Sequence, residues 1–257
     1  MTRIRRGYVD VSWGQVHYRW AGSGPPVVLL HDSPRSSVLH VDLMAALATD
    51  FTVFALDTAG FGNSTPLPGV PEVPDFADGL AAALTALGLG RSVVYGFHSS
   101  SKIALECARR YPALFAGLVC DGLALPPQTA SADYLARYLV PFEVRADGSH
   151  LAGKWTLIRD FHRYFPHFAK GAANRLPLDE PEVAKVHVYC MDTLMAGPAW
   201  TSGYGAALRY DARPALAELA VPCTFMARAD DVLVVFLDAR PQPLPPRSIV
   251  ERVPAST

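Results

Sequence analysis

The amino-acid sequence predicts an α/β fold with a mainly parallel sheet, and two features of the chain carry this prediction. Short continuous apolar runs, such as residues 27–30 and 52–56, are typical of strands buried on both faces. Segments with apolar residues at helical spacing lie between these runs, and strands that alternate with helices form parallel sheets through right-handed crossovers. Because 50% of the 257 residues are hydrophobic, the chain can fill the large core that such a sheet needs.

Residues 1–121 contain most of the predicted elements. Gly88 and Gly90 mark the end of one helix and Pro112 the end of another, because glycine favours helix C-termini and proline breaks helices. In chain order the predicted elements are a hairpin of 8–13 and 16–21 with its turn at Gly14-Gln15, strands over 27–30, 52–56, 92–95 and 118–120, and helices over 36–48, 75–87 and 99–111.

The alternation of strand and helix stops after Asp121. Residues 123–205 contain helical stretches rich in aromatic residues and histidine, without a clear buried strand. The alternation then resumes with a helix over 211–219 and strands over 223–227 and 248–253. We therefore predict a core formed by residues 1–122 and 206–257, and a helical cap formed by residues 123–205. The cap is expected over the carboxyl edge of the sheet, where such sheets bind ligands.

Composition excludes several classes of partner. Lys and Arg number 23 and Asp and Glu number 24, so the formal charge of −1 argues against nucleic acid as a ligand. The N-terminal residues lack the apolar region of a secretory leader, and no apolar run approaches the roughly 18 residues of a membrane span. We therefore expect a cytoplasmic protein, with no membrane contact, that acts on a small molecule.

The cysteines indicate neither a metal nor a disulfide. The four cysteines are far apart in the sequence and include no C-x-x-C pair, so a zinc site and a disulfide framework are both disfavoured. The spaced histidines of the cap show no H-x-x-x-H pair beside a carboxylate. The sequence thus predicts no metal and no cofactor.

Polar loops follow three of the predicted parallel strands. His31-Asp32-Ser33-Pro34 follows the first, residues 57–64 follow the second, and residues 96–101 follow the third and open a helix. In this order the loops resemble the oxyanion loop, the D-x-x-G-x-G-x-S loop and the nucleophile elbow of the α/β-hydrolase superfamily. The resemblance implies an α/β-hydrolase fold, with a mainly parallel eight-stranded sheet, helices on both faces and a helical cap insertion.

The elbow carries a histidine where the superfamily usually has a nucleophile. Such a turn needs small residues two positions before and two after the reactive position, because it has no room for a branched Cβ. If His98 is the reactive position, these flanks are Gly96 and Ser100. If Ser99 is the reactive position, the bulky Phe97 stands where a small residue is needed. We therefore predict His98 at the elbow, as in a similar branch of the superfamily with a G-x-H-x-[GS] pattern.

Two further departures from the superfamily pattern bear on the reaction. The superfamily's general base is a histidine after the last strand, whereas no histidine follows His187 in this sequence. Asp32 stands where the oxyanion loop of the superfamily has glycine, either as a turn-forming residue or as a carboxylate beside the site. The sequence therefore does not support ordinary acyl transfer by a Ser-His-Asp triad.

The remaining groups suit proton transfer. His98 would lie at a helix N-terminus, where the helix dipole disfavours imidazolium, so we expect a mostly neutral ring that can remove a proton. Asp230 is the expected catalytic partner that orients this ring, with Asp231 and Asp121 as alternatives. A metal-free acid–base site of this kind suits proton abstraction next to a carbonyl.

The resemblance also implies main-chain donors and a lining for the substrate. The backbone N–H groups of Ser33 and Ser99 would form an oxyanion hole. An aromatic-rich cap fits a flat apolar substrate, although many of its rings must pack the cap helices. The expected substrate-binding residues are His31, Asp32, His150, Trp155 and Tyr204; His31 has the alternative role of shaping the oxyanion loop.

Three functions are compatible with these residues. The favoured one is cofactor-independent acid–base catalysis by His98 that makes, breaks or cyclises C–C or C–O bonds in a small aromatic or polyketide-like molecule. The alternatives are an ester or lactone hydrolase that uses Ser99 as nucleophile, and a non-catalytic protein that binds a small molecule. A homodimer is possible as the oligomeric state.

Overall fold

The computed structural model describes residues 3–126, 130–141, 143–233 and 244–254. Eight strands form one sheet in the order β1-β2-β4-β3-β5-β6-β7-β8. The strands are β1 (Arg5–Val11), β2 (Gly14–Ala21), β3 (Pro26–Leu30), β4 (Thr52–Leu56), β5 (Ser92–Phe97), β6 (Phe115–Asp121), β7 (Cys223–Arg228) and β8 (Ser248–Val253). Strand β2 runs antiparallel to β1 and β4, and all other neighbours are parallel. The predicted mainly parallel eight-stranded sheet is confirmed.

The helices follow the predicted alternation, with shifted ends. They are α1 (Val41–Leu47), α2 (Val73–Ala86), α3 (Ser99–Arg110), α4 (Ala132–Tyr138), α5 (Ser149–Phe161), α6 (Val183–Ala196), α7 (Ala199–Arg209) and α8 (Arg213–Ala217). Helix α2 begins two residues before the predicted start because Glu72 and Asp75 form a capping box ahead of it. None of the helices built from the described residues has both the length and the apolar character of a membrane span.

The N-terminal hairpin turns earlier than predicted. Val11 pairs with Gly14, so Ser12 and Trp13 form the turn, and Gly14 already belongs to β2. Gly14 is needed there because its φ is +145° and a Cβ at this position would lie 2.6 Å from the side chain of Thr65. The glycine thus marks a close approach between β2 and a neighbouring loop, and the predicted turn at Gly14-Gln15 is wrong.

Alternate residues of β3 build the core on the two faces of the sheet. Val28 and Leu30 belong to a buried cluster that includes side chains of α2 and α3. Val27 and Leu29 belong to a second cluster on the other face, which includes Met44 of α1. This two-sided burial explains why β3 is an uninterrupted apolar run, and the predicted placement of helices on both faces is confirmed.

Helices α4, α5 and α6 lie within the segment predicted as a cap, and α7 crosses the boundary predicted at residue 205. Trp200 of α7 is fully buried and packs with Phe61 from the loop after β4. The described part of residues 123–205 contributes no strand to the sheet. The division of the chain into core and cap stays a prediction.

Strand β5 passes into α3 through a single residue, His98. Such a short connection brings the first turn of α3 against the end of β5. A Cβ on Gly96 would lie 2.7 Å from the carbonyl oxygen of Ser100 and 2.7 Å from the Cα of Ser101. Only glycine fits at this position, as the sequence predicted for the residue two before His98.

We expect Gly96→Ala to lower the free energy of unfolding by about 1–3 kcal/mol, because its methyl group would collide with the backbone of α3. Gly90→Ala is the matched control, since nothing lies within 4 Å of a Cβ at Gly90. The control should be neutral or stabilising by at most about 1 kcal/mol. Urea unfolding of both variants measures the difference, and an equal effect of the two substitutions would contradict the close approach.

Candidate active site

His98 occupies the turn between β5 and α3 in a strained backbone conformation. Its φ of 48° and ψ of −109° are unusual for a residue with a Cβ. Ser100 holds the turn in place, because its Oγ accepts a hydrogen bond from the N–H of Phe97 at 2.9 Å and lies 2.9 Å from the carbonyl oxygen of Leu30. The structure thus places His98, not Ser99, at the apex of this turn.

The imidazole of His98 has two close neighbours. It stacks on the ring of Phe97, with 4.1 Å between the ring centroids. Its Nε2 lies 2.9 Å from Oδ2 of Asp231, and the side chain of Asp231 is 2% exposed whereas that of His98 is 25% exposed. A histidine that reaches a cavity on one side and a buried carboxylate on the other has the arrangement of a catalytic dyad.

Asp231, not the predicted Asp230, makes the contact with His98. The carboxylate of Asp230 lies 3.3 Å from the guanidinium of Arg228. The chain turns directly after β7, where the N–H of Asp231 bonds the carbonyl oxygen of Arg228, and the N–H of Leu233 then bonds Oδ1 of Asp231 at 2.8 Å. This turn aims the second of the two neighbouring aspartates at His98, so the prediction of Asp230 as partner is corrected.

Gly122, directly after β6, gives the dyad its room, and the sequence analysis did not identify it. Its φ is +69°, and a Cβ at this position would lie 2.7 Å from Nε2 of His98 and 2.8 Å from Oδ2 of Asp231. Any larger residue would therefore displace the imidazole or the carboxylate. The available signal was a glycine at the carboxyl end of a predicted strand, which marks a close approach.

The protonated form of His98 is favoured by its surroundings. Burial lowers the pKa of His98, but the hydrogen bond and charge of Asp231, together with the charges of Asp32 and Asp121, outweigh burial and raise the pKa above the usual value. The same contact lowers the pKa of Asp231, although burial opposes this shift. The expected direction of the shift, which considered only the helix dipole, is wrong because three carboxylates act against that dipole and raise the pKa of His98.

The predicted main-chain donors adjoin the hydroxyl of Ser99. The N–H of Ser33 donates a hydrogen bond to Oγ of Ser99 at 2.7 Å. The N–H of Ser99 itself belongs to the first turn of α3, where backbone donors have no acceptor within the helix. A ligand oxygen that binds the N–H of Ser33 must therefore compete with, or bind alongside, this hydroxyl.

His31 lies beneath the site and braces the oxyanion loop. Its Nε2 accepts a hydrogen bond from the N–H of Thr58 at 3.0 Å, so its Nδ1 carries the proton and donates to the carbonyl oxygen of Asp32 at 2.9 Å. Because both ring nitrogens are engaged, the geometry favours the structural alternative over the predicted contact with substrate.

His98 opens on a cavity of about 430 Å³ between the carboxyl edge of the sheet and the helices α4 and α7. The cavity includes Asp32 and Tyr204, which were predicted to contact substrate, and also the predicted donors Ser33 and Ser99. The remaining described lining residues are Lys102, Gly122, Ala124, Pro126, Ala130, Ser131, Tyr134, Tyr138, Phe165, Pro166, Ala207, Leu208 and Leu233. The cavity wall is thus polar beside His98 and aromatic on the side formed by α4 and α7.

His150 and Trp155, the other predicted substrate contacts, lie elsewhere on α5. The Nδ1 of His150 accepts a hydrogen bond from the N–H of Arg145 at 3.1 Å, and His150 lines a separate depression of the cap. Trp155 packs against the buried cluster around Ile158 and Tyr189. The helix directs both side chains away from the cavity of His98, so the assignment of these two residues to substrate binding is corrected.

Of the eight histidines, His98 alone lines this cavity among the described residues. The others contact different groups: His17 with Asp57, His31 with Thr58, His40 with Tyr95, His150 with Arg145, His162 with Tyr189, His167 with Tyr138, and His187 at the surface. Within the described ranges, Oγ of Ser99 therefore has no histidine as a hydrogen-bond partner. A serine–histidine pair is not formed by these side chains.

Within the described ranges, no three His, Cys, Asp or Glu side chains gather where they could hold a metal ion. The polar groups around the cavity are an imidazole, hydroxyls, a carboxylate and an ammonium, each on a different part of the wall. Such a lining suits an organic molecule that combines an apolar body with a few polar groups.

Comparison with known proteins places this architecture in a family. A family model described as the alpha/beta hydrolase fold matches residues 25–180, more than half of the chain. The 2-(acetamidomethylene)succinate hydrolase of Mesorhizobium japonicum is 26% identical over 152 residues, which are 57% of this chain and 55% of that protein. Haloalkane dehalogenase 2 of Mycobacterium tuberculosis is 32% identical over 102 residues, which are 39% of this chain and 36% of that protein. The chain thus spans about a third to a half of the length of these curated relatives.

Solved structures show the same fold at low sequence identity. An esterase from Thermogutta terrifontis superposes with a TM-score of 0.72 at 24% identity, over 97% of this chain and 90% of the esterase. An epoxide hydrolase from an endophytic Streptomyces gives a TM-score of 0.74 at 19% identity, over 97% of this chain and 88% of that chain. Taken with the family model and the sheet order, these likenesses establish that the chain belongs to the α/β-hydrolase family.

Proposed function

We propose that the chain is an α/β-hydrolase-fold enzyme in which His98, held by Asp231, performs cofactor-independent acid–base catalysis on a small aromatic or polyketide-like molecule. The observation that carries this proposal is an imidazole at the β5–α3 turn whose Nε2 lies 2.9 Å from a buried carboxylate. The reaction favoured by this arrangement makes, breaks or cyclises a C–C or C–O bond after a proton has been removed.

The contact with Asp231 fixes which nitrogen of His98 acts as the base. The lowered pKa of Asp231 keeps its carboxylate ionised, and an ionised carboxylate only accepts hydrogen bonds. Nε2 therefore carries a proton, and in the neutral ring the lone pair is on Nδ1. Nδ1 has no hydrogen-bond partner among the described residues, so it is available to a substrate in the cavity.

Removal of a proton next to a carbonyl turns the ring into imidazolium and the substrate into an enolate. Asp231 stabilises the imidazolium by its charge. The N–H groups of Ser33 and Ser99 and the hydroxyl of Ser99 lie on the same cavity wall and would stabilise the enolate oxygen. The enolate then expels an oxygen leaving group from its β carbon, so that a C–O bond breaks and a C=C bond forms beside the restored carbonyl. The proton held on Nδ1 passes to the departing oxygen, which returns the ring to its neutral form.

Hydrolysis through Ser99 is the second candidate, and the names of the relatives favour it. The curated relatives are named as a hydrolase of an acetamidomethylene succinate and as a haloalkane dehalogenase, and one solved structure is named as an epoxide hydrolase. These names cover different bonds and therefore do not select a substrate. The contact of Ser99 Oγ with the N–H of Ser33, and not with a histidine, argues against an activated serine.

We expect His98→Gln to lower catalysed proton exchange by about 10²- to 10⁴-fold, which is the usual contribution of a general base. The assay is deuterium incorporation next to the carbonyl of a panel of aryl ketones in D₂O, followed by mass spectrometry. Ser99→Ala removes one hydroxyl beside the enolate oxygen but keeps the base and both main-chain donors, so it should lower exchange less than His98→Gln does. Full exchange by the His98→Gln variant, with loss in Ser99→Ala, would reverse the roles of these two residues.

Ser99 should not react with a fluorophosphonate probe, because within the described part of the chain no histidine forms a hydrogen bond with its hydroxyl. Peptide mass spectrometry of the treated, folded wild-type protein measures the labelling. A label on Ser99 that disappears in the Ser99→Ala variant would replace the acid–base proposal with the hydrolase.

Asp231→Asn should lower the pKa of His98, because the carboxylate that stabilises the imidazolium is removed. The base form would then dominate at a lower pH, so the rising limb of the exchange rate should move to lower pH. NMR titration of the imidazole protons of His98 measures this directly. Asp230→Asn is the matched control and should leave the titration in place, since Asp230 lies against Arg228; equal shifts in both variants would contradict the assignment of Asp231.

A further inference from the structure

A buried lysine lies in the wall of the same cavity and has no role in the proton transfer described above. Lys102 is on α3, four residues after His98, and is only 8% exposed. Its Nζ donates to the carbonyl oxygen of Ala207 at 2.7 Å and lies 3.3 Å from the carbonyl oxygen of Tyr210. These carbonyl groups are at the C-terminal end of α7, where the helix dipole favours a cation.

The ammonium of Lys102 has no carboxylate as partner among the described residues. The acidic side chain that acts on it is Asp211, but the carboxylate of Asp211 pairs with Arg213 at 2.9 Å. Burial lowers the pKa of Lys102 to about 8, so the group still carries its charge at neutral pH. A buried cation without a counter-ion is energetically costly unless a ligand supplies the opposite charge.

The hydrogen bonds of Lys102 leave one donor unused. An ammonium has three N–H groups, and the two carbonyl oxygens account for two of them. Lys102 lines the cavity, and we infer that this third N–H is the donor to a ligand bound there. An anionic oxygen would then gain both a charge-assisted hydrogen bond and the attraction of the ammonium.

We propose that Lys102 forms an anion-binding subsite of this cavity, and that the natural ligand carries an anionic group, such as a carboxylate, on an aromatic body. This inference adds the anionic group of the ligand to the proposed function. It rests on the proposed function for the group of the ligand that reacts at His98. Neither the family nor the names of the relatives assign a ligand group to Lys102.

Two charged side chains of opposite sign line the cavity, the carboxylate of Asp32 and the ammonium of Lys102. Asp32 acts on His98 together with Asp231 and Asp121, whereas Lys102 pairs with no carboxylate among the described residues. Lys102 follows His98 by four residues, which corresponds to a rise of about 6 Å along an α-helix, and both residues line the cavity. We therefore expect one small ligand to contact both side chains, with its anionic group at Lys102 and its carbonyl at His98. The ligand is thereby oriented with its anionic end away from the carboxylates beside the imidazole.

Aromatic side chains of the cap face the space between these ends. Tyr134, Tyr138 and Tyr204 line the cavity, and the hydroxyl oxygens of Tyr138 and Tyr204 lie 3.0 Å apart. Rings on the wall favour a flat unsaturated body in the ligand. The combination of one ammonium and several rings is therefore matched by an aromatic acid.

The test compares 1-naphthoate with the neutral 1-naphthamide, which has nearly the same shape. NMR titration of the wild-type protein at pH 7, followed at the imidazole signals of His98, locates binding in this cavity and gives the Kd of each compound. We expect 1-naphthoate to bind at least about tenfold more tightly, as befits a hydrogen bond to a charged group. Equal affinity of the two compounds, or no change in the His98 signals with either, would overturn the proposal.

Lys102→Met should raise the Kd of 1-naphthoate by at least about tenfold while changing that of 1-naphthamide less than twofold. Lys102→Arg keeps the charge and should keep the preference for the anion. Lys102→Gln keeps a donor for the carbonyl oxygen of Ala207 but has no charge, so it should lose this preference. The glutamine variant also serves as the test if Lys102→Met does not fold. Parallel loss of both compounds in Lys102→Gln would show that the lysine only supports α7. These are binding measurements, so they are independent of the exchange assay. If the protein does not catalyse exchange, the preference for the anion can still be measured. If the preference for the anion is absent, exchange by His98 can still be measured.

Discussion

The hydrogen bond between Nε2 of His98 and Oδ2 of Asp231 is the interaction on which the rest of the candidate site depends. It joins the turn after β5 to the turn after β7, two loops separated by more than a hundred residues. The bond has room only because Gly122, directly after the strand that lies between β5 and β7, has no side chain. Three neighbouring strands therefore cooperate to hold one imidazole, in agreement with the general tendency of such sheets to build sites at their carboxyl edge.

Much of the fold could be predicted from the sequence because its signals are local. The apolar run of β3 shows burial on both faces, and the small residues Gly96 and Ser100 identify His98 as the apex of the turn. The choice between Asp230 and Asp231 could not be made, since it depends on hydrogen bonds within the turn after β7. The prediction of His150 and Trp155 as substrate contacts was wrong because the sequence alone does not distinguish aromatic and polar residues of α5 that pack from those that bind a ligand.

The electrostatics of the site also depended on groups that are distant in the sequence. The helix dipole alone predicts a neutral imidazole, but Asp231, with smaller contributions from Asp32 and Asp121, outweighs burial and raises the pKa of His98. A base with a raised pKa removes protons from weaker acids, although a larger fraction of it is protonated at neutral pH. Lys102, on α3, pairs with no carboxylate among the described residues, since Asp211, the acid that acts on it, pairs with Arg213. The cavity thus combines a proton acceptor with a fixed positive charge, each held by backbone that the family fold supplies.

The hydrogen bond from the N–H of Ser33 to Oγ of Ser99 has a consequence for selectivity among bound species. The protein supplies its own occupant for this donor, so an incoming oxygen gains only the difference between the bond it accepts and the bond it displaces. A neutral carbonyl oxygen resembles the hydroxyl in acceptor strength and gains little, whereas an oxygen that has acquired negative charge gains much more. In the proposed reaction, the hydroxyl of Ser99 would therefore make this donor favour the charged intermediate over the neutral substrate, which is the differential binding that catalysis requires.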